Sequence, residues 1–226
     1  MSGHLNNDRV RIFVDTNVLI EFFENLDNNP SKQFLEEASS DDRVELLTSD
    51  FVIFEVLEFL RREYYIKSKI DGGWCTRRAY RKSRNFENFS QADFTSMKKE
   101  INNHMNKIAE IVEIIPLEEF IDKNLGISFS EIVKHFILST KIEKNDVLAL
   151  TSALLTQSHV FLTKDEDFAR EGRRIAMLEE FLKELPIPLS IKFFSPKPPN
   201  NLSIREYIKK IYEKVLGENA RDSTIL

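Results

Sequence analysis

The stretch Arg11–Phe23, RIFVDTNVLIEFF, changes its hydrophobic period at Asp15 and predicts a strand that runs directly into a helix. Apolar residues alternate over Val10–Val14, which is the period of a strand, and recur over Val18–Phe23 at helical spacing. Between these segments, Asp15–Asn17 supplies a carboxylate, a hydroxyl and an amide. This polar break therefore marks a candidate site at the end of a buried strand.

The rest of the chain repeats the alternation of strand and helix. The predicted strands cover Val10–Asp15, Val44–Ser49, Val112–Ile115, His159–Thr163 and Ile191–Ser195. One predicted helix follows the first strand and ends at about Leu26. Three further helices are predicted over Ser31–Ala38, Phe51–Lys67 and Ser203–Leu216. Others begin near Ser96 and at Asp146, and two more are separated by Gly126. Strands separated by helices predict an α/β fold, a three-layer α/β/α sandwich with a mostly parallel five-stranded sheet.

Composition limits the class of protein. The 226 residues include 42% hydrophobic residues and 18 Phe, enough for a sizeable core. The single cysteine excludes a disulfide framework and a Cys-based zinc ribbon, and it is consistent with a reducing compartment. The sequence shows no secretory leader and no apolar run as long as a membrane span. We expect a soluble, cytoplasmic protein that is not bound to a membrane.

The net charge of −5 hides a strong asymmetry. The segment Arg61–Arg84 contains nine Lys or Arg against Glu63 and Asp71, so it carries +7 and the remainder carries −12. A basic block inside an acidic protein predicts contact with an anionic partner.

Acidic residues follow several of the predicted strands. Asp15 closes the first strand, Glu55 lies on the helix after the second, and Asp165 and Asp167 follow the fourth. Asp146 stands near the start of the helix that leads into the fourth strand. Because ligands bind beyond the carboxyl ends of parallel strands, we expect these acids to converge at one edge of the sheet.

Glu55 lies on an apolar stripe of its helix, between Val52 and Phe59. A buried carboxylate needs a partner, a proton or a cation, and several carboxylates together repel one another. A hard divalent cation such as Mg²⁺ or Mn²⁺ would resolve both conflicts, because such ions prefer carboxylate and water oxygens. Asn17 and Thr163 offer neutral groups that would orient the ligands.

Four motifs together resemble the PIN-domain nucleases, most closely the VapC-like branch. The motifs are FVDTNVLIEFF, an acid on the helix SDFVIFEVLEFL, the segment NDVLALTSALLTQSHVFLTKDEDF, and a last strand ending in FFSP. The resemblance covers Val10–Pro116 in broken form and Pro116–Pro196 more continuously. DTN alone is a weak signal, but D-x-x-x-x-x-x-A and T-x-D-x-D-F follow it in the family order.

The resemblance implies a metal-dependent endoribonuclease in which a metal-activated water cleaves RNA phosphodiesters. Carried over by position, the acids that hold Mg²⁺ or Mn²⁺ are Asp15, Glu55, Asp146 and Asp165, with Asp167 as a fifth. Asn17 and Thr163 match accessory polar positions of the family. The implied partners are RNA, an antitoxin or other protein, and a second copy of the chain.

The chain departs from the VapC-like pattern in its length. Glu55 and Asp146 are 91 positions apart, and a helix follows the last strand. We therefore expect a PIN-like domain over residues 1–199 with a basic, helical insertion around 65–110, followed by a C-terminal helix and a frayed tail over 200–226.

The basic segment combines cations with aromatic residues, as a single-stranded RNA channel would. The candidate RNA-binding residues are Trp74, Arg77, Arg78, Tyr80, Arg81, Lys82 and Arg84. The alternative interpretation is a solvated helix followed by a mobile loop.

Three other functions remain to be compared. A PIN-like module that binds RNA or protein without cutting would explain the fold but not the intact acid set. A haloacid-dehalogenase phosphatase would need D-x-D after the first strand, where this sequence has Asp15-Thr16-Asn17. A P-loop NTPase would need G-x-x-x-x-G-K-[ST], and this sequence does not contain that motif. DNA substrates stay open, and so does the choice between a toxin and an RNA-processing enzyme.

Overall fold

Five parallel strands form the sheet at the centre of the fold. The computed structural model describes residues 9–24, 28–116, 128–166, 168, 191–199 and 202–222. The strands are β1 (Val10–Val14), β2 (Val44–Ser49), β3 (Glu113–Ile115), β4 (Val160–Leu162) and β5 (Lys192–Phe194). Their order across the sheet is β3-β2-β1-β4-β5, and every neighbouring pair is parallel.

Helices flank this sheet. Within the described ranges they are α1 (Thr16–Phe22), α2 (Pro30–Ser39), α3 (Asp50–Asp71), α4 (Thr76–Lys82), α5 (Gln91–Ala109), α6 (Phe129–Ser139), α7 (Lys144–Leu155) and α8 (Ile204–Asp222). The α/β sandwich with a parallel five-stranded sheet is confirmed. None of the described helices is long and apolar enough to span a bilayer.

The central position of β1 follows from its sequence. Four of its five residues are fully buried, as expected for a strand that pairs with neighbours on both sides and is covered on both faces. The ring of Phe13 stacks on Phe161 of β4 with centroids 5.7 Å apart, and Phe168 and Phe193 pack against Phe161 at 4.9 and 5.9 Å. This aromatic cluster forms the core beside the carboxyl end of β1.

Several helices differ from their predictions: α1 ends at Phe22 and not near Leu26, and α3 continues to Asp71 beyond the predicted Lys67. α4 forms where the sequence suggested a loop, because Ala79 is buried against Tyr65 and Ile66 of α3. α5 begins five residues before the predicted start, because Ser90 and Asp93 form a reciprocal capping box at its N-terminus.

The C-terminal helix packs on the same core. Tyr207, Ile208, Ile211 and Val215 of α8 are buried, and α8 contacts α2 and β1. The expectation of a frayed tail was wrong as far as Asp222, because the backbone stays helical to that residue. Of the two helices predicted around Gly126, the second is α6 (Phe129–Ser139). The first lies outside the described residues.

Candidate active site

The topology brings four of the predicted acids to one edge of the sheet. Asp15 directly follows β1, and Asp165 lies three residues beyond β4, which pairs with β1. Glu55 lies in the second turn of α3, which begins where β2 ends, and Asp146 lies in the first turn of α7. Asp167, the fifth predicted acid, lies outside the described residues.

Asp15 is held by three donors, two from α1 and one from the segment that follows β4. It is the N-cap of α1, and its Oδ1 accepts a hydrogen bond of 2.7 Å from the Thr16 amide. Its Oδ2 accepts from Asn17 Nδ2 at 2.8 Å and from Thr163 Oγ1 at 2.7 Å. Asn17 and Thr163 therefore fix the orientation of the Asp15 carboxylate. Asp15 is only 2% exposed.

Glu55 has neutral partners that the sequence analysis missed. Thr16 Oγ1 donates to its Oε2 at 2.6 Å, and Asn145 Nδ2 donates to its Oε1 at 2.5 Å. Asn145 lies 90 positions away and joins α7 to α3. Thr16 lies in the DTN motif, so the sequence marked it as a polar residue near the predicted site. The sequence spacing does not indicate that Asn145 reaches Glu55.

The carboxylates disfavour one another's charge. Burial raises the pKa of Asp15 to about 6, and nearby Glu55 and Asp165 add to this rise against the hydrogen bonds from Thr163 and Thr16. Burial also raises the pKa of Asp146 to about 7, with Asp15, Asp165 and Glu55 contributing. Burial first, and the neighbouring carboxylates second, therefore disfavour the charged forms of Asp15 and Asp146.

The donor set suits a hard cation, although the acids do not form a closed cage. Within the described residues, no group of three or more His, Cys, Asp or Glu is arranged so that it could hold one metal ion. Mg²⁺ is commonly held by one or two carboxylates together with waters and substrate phosphates. The four acids fit that open mode of binding, since their mutual repulsion favours a cation between them.

A tether fixes the loop that carries Asp165. The Lys164 amide donates to Asn17 Oδ1 at 3.0 Å, and Lys164 Nζ forms an ion pair of 2.6 Å with Glu21 Oε1. Ser31 Oγ also donates to the Glu21 carboxylate. The Asp165 amide donates to Thr163 Oγ1 at 3.0 Å, so the loop is fixed to both β4 and α1.

The predicted RNA-binding residues lie in and around α4, which packs against α3. Arg77, Arg78, Tyr80, Arg81 and Arg84 are exposed, whereas Trp74 and Lys82 are partly buried. Some of them have partners within this region. Arg78 lies over the Trp74 ring at 4.0 Å, and Lys82 forms an ion pair of 2.7 Å with Glu87.

The raised pKa values predict how stability depends on pH without metal. Between its ordinary value of 3.8 and about 6, the folded state keeps the proton on Asp15 while the unfolded chain releases it. The free energy of unfolding therefore falls as pH rises through this window, by on the order of 3 kcal/mol from Asp15. Asp146 acts in the same direction up to about pH 7.

Urea unfolding in EDTA at a series of pH values measures this effect. The difference in unfolding free energy between Asp15→Asn and the wild type contains the Asp15 contribution together with the lowering of the Asp146 pKa that loss of the Asp15 charge causes, and both act in the same direction. We expect the variant to gain stability relative to the wild type between about pH 4 and pH 7. A difference that stays constant across this range would contradict the raised pKa.

The comparison with protein families agrees with this arrangement. The profile of the PIN domain family matches residues 12–173, which include all four clustered acids as well as Asp167. The search of curated proteins found no match.

Proposed function

Because the chain belongs to the PIN domain family, whose members are generally nucleases, we propose that it is a Mg²⁺- or Mn²⁺-dependent endoribonuclease. The observation that carries the proposal is the set of four acids at the carboxyl edge of the sheet. They come from four separate segments, and two of them have strongly raised pKa values. We assign the metal-binding and catalytic roles to Asp15, Glu55, Asp146 and Asp165, with Asp167 as a further candidate.

The roles of the chain's own residues follow from their contacts. Asn17 and Thr163 hold one oxygen of Asp15, while Thr16 and Asn145 hold Glu55, so both carboxylates are oriented before a ligand arrives. A bound divalent ion would activate water and neutralise charge on a phosphodiester. The tethered loop keeps Asp165 close enough to influence both Asp15 and Asp146.

The finer biological assignments stay predictions from the sequence. They are membership of the VapC-like branch, a cytoplasmic location, a homodimer and RNA contact by the residues around α4. The division into a domain of residues 1–199 with a basic, helical insertion around 65–110, followed by a C-terminal helix and tail over 200–226, also stays a prediction. A toxin restrained by an antitoxin and an RNA-processing enzyme both use this chemistry. A gene for a small DNA-binding protein next to this one would favour the toxin.

Cleavage of a single-stranded RNA with a fluorophore and a quencher at opposite ends tests the proposal. We expect the fluorescence to rise with Mn²⁺ or Mg²⁺ and to stay at the background level in EDTA, because the four acids need a cation to approach a phosphate. Adding excess Mn²⁺ after EDTA should restore the rate. Cleavage that persists in EDTA would contradict metal dependence, and tight binding without cleavage under either metal would favour a silent RNA-binding module.

A further inference from the structure

A groove of about 1070 Å³ lies between α3, the turn after α4, and α5. Its volume is at the upper limit of small-molecule pockets, so it suits a segment of a polymer. None of the four clustered acids lines it, and its residues lie between Phe54 and Asn102. The groove is therefore a surface next to the candidate active site and is distinct from it.

The groove is strongly basic. Four of its lining residues are cations, namely Arg61, Arg62, Arg84 and Lys98, against the single acid Glu58. In the part of the chain that the structure describes, none of these four forms an ion pair with a carboxylate. Two of them are already oriented, since Arg61 lies 5.0 Å over the Phe86 ring and Arg62 Nε donates to Ser83 Oγ at 3.1 Å. Such a row of unpaired cations is complementary to a chain of phosphates.

The same groove presents an exposed aromatic ring. Phe54 is 56% exposed although it is a large apolar side chain, whereas Phe86 and Phe94 line the groove further along as partly buried rings that pack on each other. Unpaired bases stack on such rings without regard to sequence, whereas a duplex has no free base face along its length. Four cations together with the exposed Phe54 ring therefore favour a single strand over a duplex, and favour nucleic acid over an acidic peptide.

The groove begins beside the acids. Phe54 precedes Glu55, and Glu58 lies one helical turn beyond Glu55 on nearly the same face of α3. From Phe54 to Arg62 the groove follows α3 for about 12 Å, at about 1.5 Å per residue. A strand lying in it would leave the groove within a helical turn of the Glu55 carboxylate.

We propose that the groove between α3 and α5 binds a single strand of RNA and leads it to the acid cluster. Arg61, Arg62, Arg84 and Lys98 contact its phosphates, and Phe54 stacks on a base next to the reacting phosphodiester. This inference rests on the proposed nuclease function and adds to it a substrate class, unpaired RNA, and a path for that substrate.

Fluorescence anisotropy with an unstructured RNA of about a dozen nucleotides tests the proposal, using Asp15→Asn protein so that the RNA stays intact. Arg84→Ala/Lys98→Ala removes two cations for which the structure shows no internal contact. We expect affinity to fall about tenfold at low salt, and the slope of log affinity against log salt to decrease by about 1.4 between about 50 and 200 mM salt. Phe54→Ala should weaken binding about tenfold with an unchanged salt slope.

Arg205→Ala/Lys209→Ala is the matched control, because it removes two exposed charges from α8, which packs on α2 and β1. We expect less than a twofold change. The groove is not the RNA-binding site if its variants bind RNA with the same affinity as the control variant. It is also not the site if Arg77→Ala/Arg81→Ala lowers the affinity for RNA more than Arg84→Ala/Lys98→Ala does. The assignment of unpaired RNA to the groove is also wrong if duplex RNA, or a polyglutamate peptide of equal charge, binds the groove more tightly than the single strand.

Cleavage by the otherwise wild-type protein with Mn²⁺ separates this inference from the proposed function. Cleavage that is unchanged in the groove variants at subsaturating RNA would overturn the groove assignment alone. If the groove variants bind RNA more weakly than the wild type but no protein cuts RNA, the nuclease proposal is overturned. RNA would then still be supported as the occupant of the groove.

Discussion

Asp15→Asn is expected to reduce RNA cleavage at least about 1000-fold, equivalent to about 4 kcal/mol of transition-state stabilisation. Asp15 is the acid at the end of the central strand, and its carboxylate is oriented by Asn17 and Thr163. The amide of the variant retains the shape of the carboxylate but loses its charge, so it cannot neutralise a divalent cation.

The measurement is the initial rate of RNA cleavage with Mn²⁺ for the variant and the wild type. Asp42→Asn is the matched control, because Asp42 is exposed in the turn before β2. We expect it to retain the wild-type rate. Thermal unfolding checks that Asp15→Asn remains folded, and a folded variant with the full rate would remove Asp15 from the catalytic site.

Phe161→Ala is expected to lower the free energy of unfolding by about 3 to 5 kcal/mol. Phe161 is fully buried in β4, where its ring contacts Phe13, Phe168 and Phe193. Truncation would leave a cavity among these rings, because the parallel sheet on which they pack cannot readily close around it.

Urea unfolding of the variant and the wild type measures this loss. Phe54→Ala is the matched control, because it removes the same atoms from a ring that is 56% exposed. We expect the control to stay within about 0.5 kcal/mol of the wild type. A loss below about 1 kcal/mol in Phe161→Ala would mean that the aromatic cluster is not the packed core described above.

The sheet was predictable because the hydrophobic period of its strands differs from that of the helices, and because polar residues mark where strands end. Val10–Val14 alternates before a polar break, and Val44–Ser49 was predicted with the bounds that the structure gives. The convergence of the acids followed from topology, since parallel strands present their carboxyl ends at one edge. Four of the five predicted acids are described, and Glu55 and Asp165 lie close enough to Asp15 and Asp146 to help raise the pKa of both.

Interactions between distant segments were not predictable. Asn145 reaches Glu55 across 90 positions, and nothing in the local sequence specifies that contact. α4 was missed because its stability depends on one buried contact, Ala79 against Tyr65, within an otherwise polar and basic segment. Tyr65 lies within the basic segment, yet it is fully buried and its hydroxyl donates to the Glu87 carbonyl.

The groove shows the same limit of sequence reasoning. Charge counting identified the basic segment around Arg61–Arg84, but it could not show which of these cations share a surface. Lys98 lies on α5, outside the basic block, and joins Arg84 in the groove only because α3 and α5 pack together. Phe54 showed no distinctive spacing, and its exposure beside Glu55 is visible only in the folded chain.

A titration of Mn²⁺ followed by electron paramagnetic resonance tests whether the four acids bind a divalent cation. The free ion gives a signal that bound Mn²⁺ loses, so the method counts bound ions without any substrate. We expect saturable binding by the wild type that is at least about tenfold weaker in Asp146→Asn, which lacks one of the carboxylates facing Asp15. A wild-type protein that leaves all of the Mn²⁺ free, or an Asp146→Asn variant that binds it equally well, would mean that the four acids do not form a metal site.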